Sequence, residues 1–166
     1  SADFVRTHPS EDIEQASVVH VQIGEDYAGY FTISNRYREG LGEMIEPLGH
    51  DFDLYLLTGD HDAERPRLES WFPPGHLHFN QKPGDKAEFI LQLQKEGKVI
   101  MMTGDGLNDA GALMQSDVAL TIANKAYQFS PASDAVLEAG KFGLLDNFIR
   151  FTRTARRIVY VSFAIS

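Results

Sequence analysis

Lys98-Val99-Ile100-Met101-Met102 runs directly into Thr103-Gly104-Asp105-Gly106-Leu107-Asn108-Asp109-Ala110, and this stretch decides how the chain is read. The apolar run predicts a buried strand of a parallel sheet, because strands covered on both faces lose the polar alternation of half-exposed ones. Two carboxylates and an amide then crowd a glycine-loosened turn that hands the strand over to a helix. In open α/β sheets, ligands bind at such carboxyl ends. Asp105 and Asp109 supply hard oxygens suited to Mg2+, which keeps several waters and takes only one or two protein carboxylates. The glycines let backbone approach an anion closely. By itself the pattern also fits a solvated loop with Asn108 or Asp109 capping the next helix. Its neighbours in sequence weigh against that.

Asp53-Leu54-Tyr55-Leu56-Leu57-Thr58-Gly59-Asp60 repeats the arrangement of apolar strand, hydroxyl, glycine and acid. The Thr58 hydroxyl and the Gly59 N–H are suited to phosphate oxygens. An ordinary turn with Asp60 as helix cap is the plainer reading of these residues alone. Gln81-Lys82-Pro83-Gly84-Asp85-Lys86 opens a helix expected to run to about Glu96, with Pro83 in the first turn, where its missing N–H costs nothing. Lys86 lies one turn in and can point back to the sheet edge, where a compact ammonium would offset phosphate charge. Ile90, Leu91 and Leu93 form the expected core face of that helix.

Outward from these motifs, strands and helices alternate. Strands are expected at Val18–Ile23, Tyr27–Ser34, Leu54–Leu57, Leu77–Phe79, Val99–Met102 and Val118–Ile122. Helices are expected at Arg38–Leu48, Asp62–Trp71, Asp109–Gln115 and Leu144–Ile165. Such alternation implies right-handed crossovers and a parallel sheet, an α/β fold.

The order Thr58-Gly59-Asp60, Pro83-Gly84-Asp85-Lys86, then Thr103 to Ala110 resembles the haloacid-dehalogenase-type phosphorylation domain of P-type ATPases, closest to the heavy-metal-transporting branch. Ser133-Asp134-Ala135-Val136-Leu137 is similar to the family's segment following the site. The resemblance implies a Rossmann-like domain followed by a long C-terminal helix leading into the membrane. It also implies that Thr58 and Gly59 bind the phosphoryl group, Lys86 stabilises it, Asp105 and Asp109 hold Mg2+, Asn108 and Asp109 organise the site, and Asp60 belongs to the catalytic set with Thr58, Gly59, Lys86 and Asn108. ATP is then the substrate of the full-length pump. Gly111 stands where the family usually has proline, and Asn35 where an acid is common.

The family's nucleophile, an aspartate in an Asp-Lys-Thr-Gly-Thr segment, has no counterpart in these 166 residues. The resemblance therefore implies a fragment. Residues 1–16 are expected to be the tail end of a nucleotide-binding domain or a linker, residues 17–142 the C-terminal part of the phosphorylation domain, and residues 143–166 a stalk helix entering a truncated membrane span. The implied partners are the missing nucleotide, actuator and transmembrane parts, the lipid bilayer and a transported metal cation, copper foremost, on the cytoplasmic side of a bacterial inner membrane. A stand-alone Mg2+-dependent phosphatase needs another nucleophile; a non-catalytic regulatory remnant needs none.

The net charge of −9 argues against a nucleic-acid partner, which requires clustered cations. From Lys141 onward the sign reverses: five cations face one acid, leaving −13 for the rest. Arg150, Arg153, Arg156 and Arg157 precede Ile158-Val159-Tyr160-Val161-Ser162-Phe163-Ala164-Ile165, a run far short of the ~20 apolar residues of a membrane span. Its cations fit the positive-inside rule, and its spacing also fits an amphipathic core helix. The absence of cysteine excludes disulfides and thiolate metal sites here. His76 and His78 share a strand face and His61 lies near Thr58, but no third ligand stands at useful spacing for a transition metal.

Overall fold

The computed structural model describes residues 17–33, 37, 40–124 and 131–165. The expectations for residues 1–16 and for the Asn35-Arg36 region fall outside them. An antiparallel hairpin opens the described chain, with β1 at Ser17–Ile23 and β2 at Asp26–Ile33. Helix α1 (Leu41–Asp51) follows, then β3 (Leu56–Leu57), a 3-10 turn at Asp62–Glu64, the short α2 (Arg65–Leu68) and β4 (Leu77–His78). Helix α3 (Pro83–Lys95) leads to β5 (Met101–Gly104), α4 (Ala110–Gln115), β6 (Val118–Ala123) and β7 (Ala135–Glu138). A 3-10 segment at Ala139–Leu144 opens into α5 (Leu145–Ile165).

Both sheets beyond the hairpin are parallel, as the alternation requires: β3 pairs with β4, and β5-β6-β7 form the second sheet. On one face, Met44, Ile45 and Leu48 of α1 and Leu68 of α2 bury Leu77, Phe79, Leu120 and Ile122, with Leu145 closing the cluster. One core thus underlies both sheets. The opposite face carries α3 and α4, with Ile90, Leu93, Ala112 and Leu113 all buried. β6 lies between two strands and under helices on both sides, so every residue from Ala119 to Ala123 is buried.

Several expectations need correcting. β5 begins at Met101, two residues later than predicted, and Val99 is 83 % exposed. The run is apolar enough for a buried strand, but β5 is the open edge of its sheet, so its start lacks cover. The Asp62–Trp71 helix breaks into a 3-10 turn and one turn of α-helix before Pro73-Pro74-Gly75. Helix α1 is displaced toward the C-terminus, beginning after Gly40, whose φ of 79° suits glycine. Leu91 is partly exposed; Phe89 packs instead, edge-on to Tyr55 (5.4 Å between centroids) and against His78 (4.5 Å). No expectation covers strand β7, because Ala135-Val136-Leu137-Glu138 is too short to carry a period. Asp134 sets it in place: its backbone N–H donates to the Ala119 carbonyl (2.9 Å), and its carboxylate accepts from the Ala119 N–H (2.8 Å).

The C-terminal helix has the expected extent. Leu145 is buried and Ile149 packs on the core, while Arg153 pairs with Asp51 and lies over the Phe52 ring at 4.7 Å. From Arg156 to Ile165 every residue is exposed. No helix among the described residues is long and apolar enough to cross a membrane.

Candidate phosphate and metal site

Three loops meet at the carboxyl ends of β3, β4 and β5. After β3, Thr58 closes a tight turn: the Asp60 N–H donates to its hydroxyl (3.1 Å), which lies 3.3 Å from the Asp60 carboxylate. The turn rests on the segment leaving β4, where Gln81 N–H donates to the Thr58 carbonyl and Asn80 N–H to the Asp60 carbonyl, both at 2.8 Å. A Cβ on Gly59 would stand 3.4 Å from the Gln81 carbonyl oxygen, so the two segments lie within van der Waals reach of each other.

The same segment starts α3. Asp85 reaches back to accept the Lys82 N–H at 2.9 Å, half of a capping box, which fixes the first turn. Lys86, one residue on, projects from that turn to the loop after β5. Its Nζ lies 2.7 Å from Asp109 Oδ1, and the two side chains are only 13 % and 14 % exposed. Lys86 is therefore no solvated surface lysine. Asp109 stands at the N-terminus of α4 but makes no cap bond with its side chain, which turns to Lys86 instead.

Glycine makes this possible at two points. Gly106 adopts a φ of 82°, letting the loop reverse. A Cβ on Gly104 would lie 2.6 Å from Asp109 Oδ2 and 2.8 Å from Asp109 Cβ, so the carboxylate folds over space that only glycine leaves. Between them, Asp105 Oδ1 accepts from the Leu107 N–H (3.0 Å) and the Asn108 N–H (3.3 Å). Its second oxygen has no hydrogen-bond partner among the described residues. One anchored carboxylate with a spare oxygen beside a second, lysine-bound carboxylate suits Mg2+, which wants few protein ligands. Among the described residues no three His, Asp or Glu side chains converge, as a transition-metal or all-protein cage would need. His76 is committed elsewhere, stacked on Tyr55 at 4.2 Å with Nδ1 2.8 Å from the Leu54 carbonyl.

No family model matches the chain. Among curated proteins it is 30% identical over 141 residues to "Probable copper-transporting ATPase PacS" of Synechocystis, covering 84% of this chain and 19% of that protein. It is 29% identical over 151 residues to a chloroplastic copper-transporting ATPase of Arabidopsis thaliana, covering 89% of this chain and 16% of that one. A cadmium/zinc-transporting ATPase of Arabidopsis thaliana is 30% identical over 137 residues, 81% of this chain and 14% of that protein. The chain belongs to the heavy-metal P-type ATPases.

It spans less than a fifth of the length of these P-type ATPase relatives. The crystal structure of a zinc-transporting PIB-type ATPase covers 95% of this chain and 27% of its own, with a TM-score of 0.73 at 20% identity. The catalytic CPx-ATPase domain CopB-B covers 73% and 48%, with a TM-score of 0.56 at 25% identity. The fold is thus the haloacid-dehalogenase-like fold of P-type ATPase domains. Lys86, Asp109 and the Asp105 loop are brought together directly, whereas Thr58, Gly59 and Asp60 join through the Gln81 segment. Sequence reasoning takes Gln81 only as part of a motif and misses Asn80. The φ of 56° at Asn80 marks the turn, and an Asn ahead of Lys-Pro-Gly is the available signal.

Proposed function

We propose that this chain is the Mg2+- and phosphate-holding half of the phosphorylation domain of an ATP-driven heavy-metal cation pump, with copper the foremost cargo. The observation that carries this reading is the 2.7 Å contact of Lys86 with Asp109 over Gly104, at the ends of parallel strands. Mg2+ held by Asp105 and Asp109 would neutralise charge on a phosphoryl group. Thr58 and the Gly59 N–H bind its oxygens, Lys86 offsets the charge that moves during transfer, and Asn108 and Asp60 hold the loops. None of these groups attacks. The nucleophilic carboxylate comes from a part of the pump outside this sequence, as do the nucleotide, actuator and transmembrane parts, and ATP is the substrate of the whole. The +4 end of the chain faces the cytoplasmic surface of the membrane, with α5 as the stalk.

The isolated chain should bind Mg2+ weakly in calorimetry. Asp105→Ala should remove the binding, and the wild-type chain should not turn over p-nitrophenyl phosphate. Robust hydrolysis abolished by Asp105→Ala would mean a free-standing phosphatase and overturn the half-site reading.

A further inference from the structure

The one polar side chain fully buried among the described residues stands in the middle of β6. Thr121 is 0 % exposed, and its hydroxyl has no hydrogen-bond partner among them. Every other residue of Val118–Ala123 is apolar, and a valine of the same shape would fill the position without a polar atom. Leaving a buried hydroxyl unbonded costs stability, so a group of this kind calls for an explanation.

Its surroundings supply one. Leu120 and Ile122 point into the core beneath α1, so Thr121 between them points to the opposite face, that of α3 and α4. In the parallel register Thr121 stands opposite Gly104 on β5, one strand spacing of about 4.8 Å away. Its side chain shares the face on which Gly104 lacks a Cβ. The Asp109 carboxylate fills that space, with Oδ2 2.6 Å from where the Cβ would be. Asp109 Oδ1 takes the Lys86 ammonium at 2.7 Å, whereas Oδ2 receives no hydrogen bond from the described residues. An unused donor and an unused acceptor thus lie side by side, unbonded while Lys86 holds the carboxylate.

We infer that the Thr121 hydroxyl is a reserve donor that takes Asp109 Oδ2 when Lys86 releases Oδ1, which makes Thr121 a positioning residue of the site. A step between staggered χ1 wells turns the O–H toward the carboxylate without moving β6. A carboxylate only 14 % exposed cannot be left unpaired cheaply, and the exchange replaces the lost ammonium with one charge-assisted bond. Asp109 then stays folded over Gly104 instead of swinging away to cap α4. The exchange rests on the packing; that a phosphoryl group is what draws Lys86 off rests on the proposed function.

A cycle of variants in the full chain, free of metal and phosphate, tests the exchange. With Lys86 in place, Thr121→Val removes an unbonded hydroxyl and should leave the melting temperature unchanged or raised. In the Lys86→Met chain the same substitution should lower it by about 2–4 °C, because there the hydroxyl is bonded. Thr121→Ser keeps the hydroxyl and should cost the same in both backgrounds. Lys86→Gln, shorter and polar, serves as the second background if Lys86→Met does not fold. Three-bond couplings to the Thr121 methyl should report a new χ1 well once the ammonium is gone. A Thr121→Val effect equal in both backgrounds, or couplings that stay the same, would overturn the inference, since packing alone does not depend on Lys86. Mg2+ with inorganic phosphate should move the couplings of the parent chain in the same direction. If the cycle holds but that addition changes nothing, the reserve donor stands and the phosphoryl-site reading falls.

Discussion

Asp109 occupies the position where an aspartate ordinarily caps its own helix, yet its carboxylate goes to Lys86. The difference is electrostatic. A cap bond to a neutral N–H is worth about 1 kcal/mol, while a half-buried ammonium 2.7 Å away offers a charge-assisted bond of about twice that strength. Gly104 permits it, and Gly104→Ala follows as a prediction. The added methyl must push Asp109 aside, and because Asp109 begins α4 the backbone has little room to give. We expect a loss of about 1–3 kcal/mol, the usual cost of overpacking, in denaturant titration, together with weaker Mg2+ binding. Unchanged stability with unchanged Mg2+ affinity would remove the cradle from the argument. The sequence places these residues in one motif but cannot tell a capping aspartate from a lysine-bound one, since partners 23 positions apart meet only through packing.

At the scale of elements, the junction of α3 with β5 carries a pH dependence. Asp117 accepts from the Ile100 N–H at 2.8 Å and from Gln94 at 3.1 Å, and these bonds, the backbone one foremost, hold its carboxyl below the ordinary carboxylate range. A depressed value means the folded state favours the charged form. That contribution is present above the unfolded value of about 3.9 and disappears as the pH falls through the folded value. Asp117→Asn should therefore lower the melting temperature at pH 7, and the gap to the parent should close below about pH 4. A gap that persists unchanged at pH 2 would point to packing rather than charge. The long periodic elements are legible in sequence: α3 and α5 begin and end within a residue or two of expectation. The short ones are not. β3 and β4 are two residues each, and α2 is a single turn, so neither period has room to declare itself.

For the molecule as a whole, the core is asymmetric about α5. Leu145 and Ile149 belong to it, whereas everything from Arg156 onward is exposed in the described fold. Deleting residues 158–166 should leave the melting temperature within about 2 °C of the parent, the range of surface changes in a chain of this size. It should also abolish sedimentation with phosphatidylglycerol vesicles if the tail is a stalk. A large drop in melting temperature would place the tail in the core. Alternation of apolar strands with amphipathic helices was enough to determine the α/β class, the parallel sheet and the candidate motifs, because burial on two faces and helical spacing are written along the chain. Only tertiary structure decided that Lys86 meets Asp109, that Val99 is exposed, and that the parallel strands fall into two sheets, β3-β4 and β5-β6-β7. Those outcomes depend on which strand lies beside which, and crossover handedness settles that in space, where no local period records it.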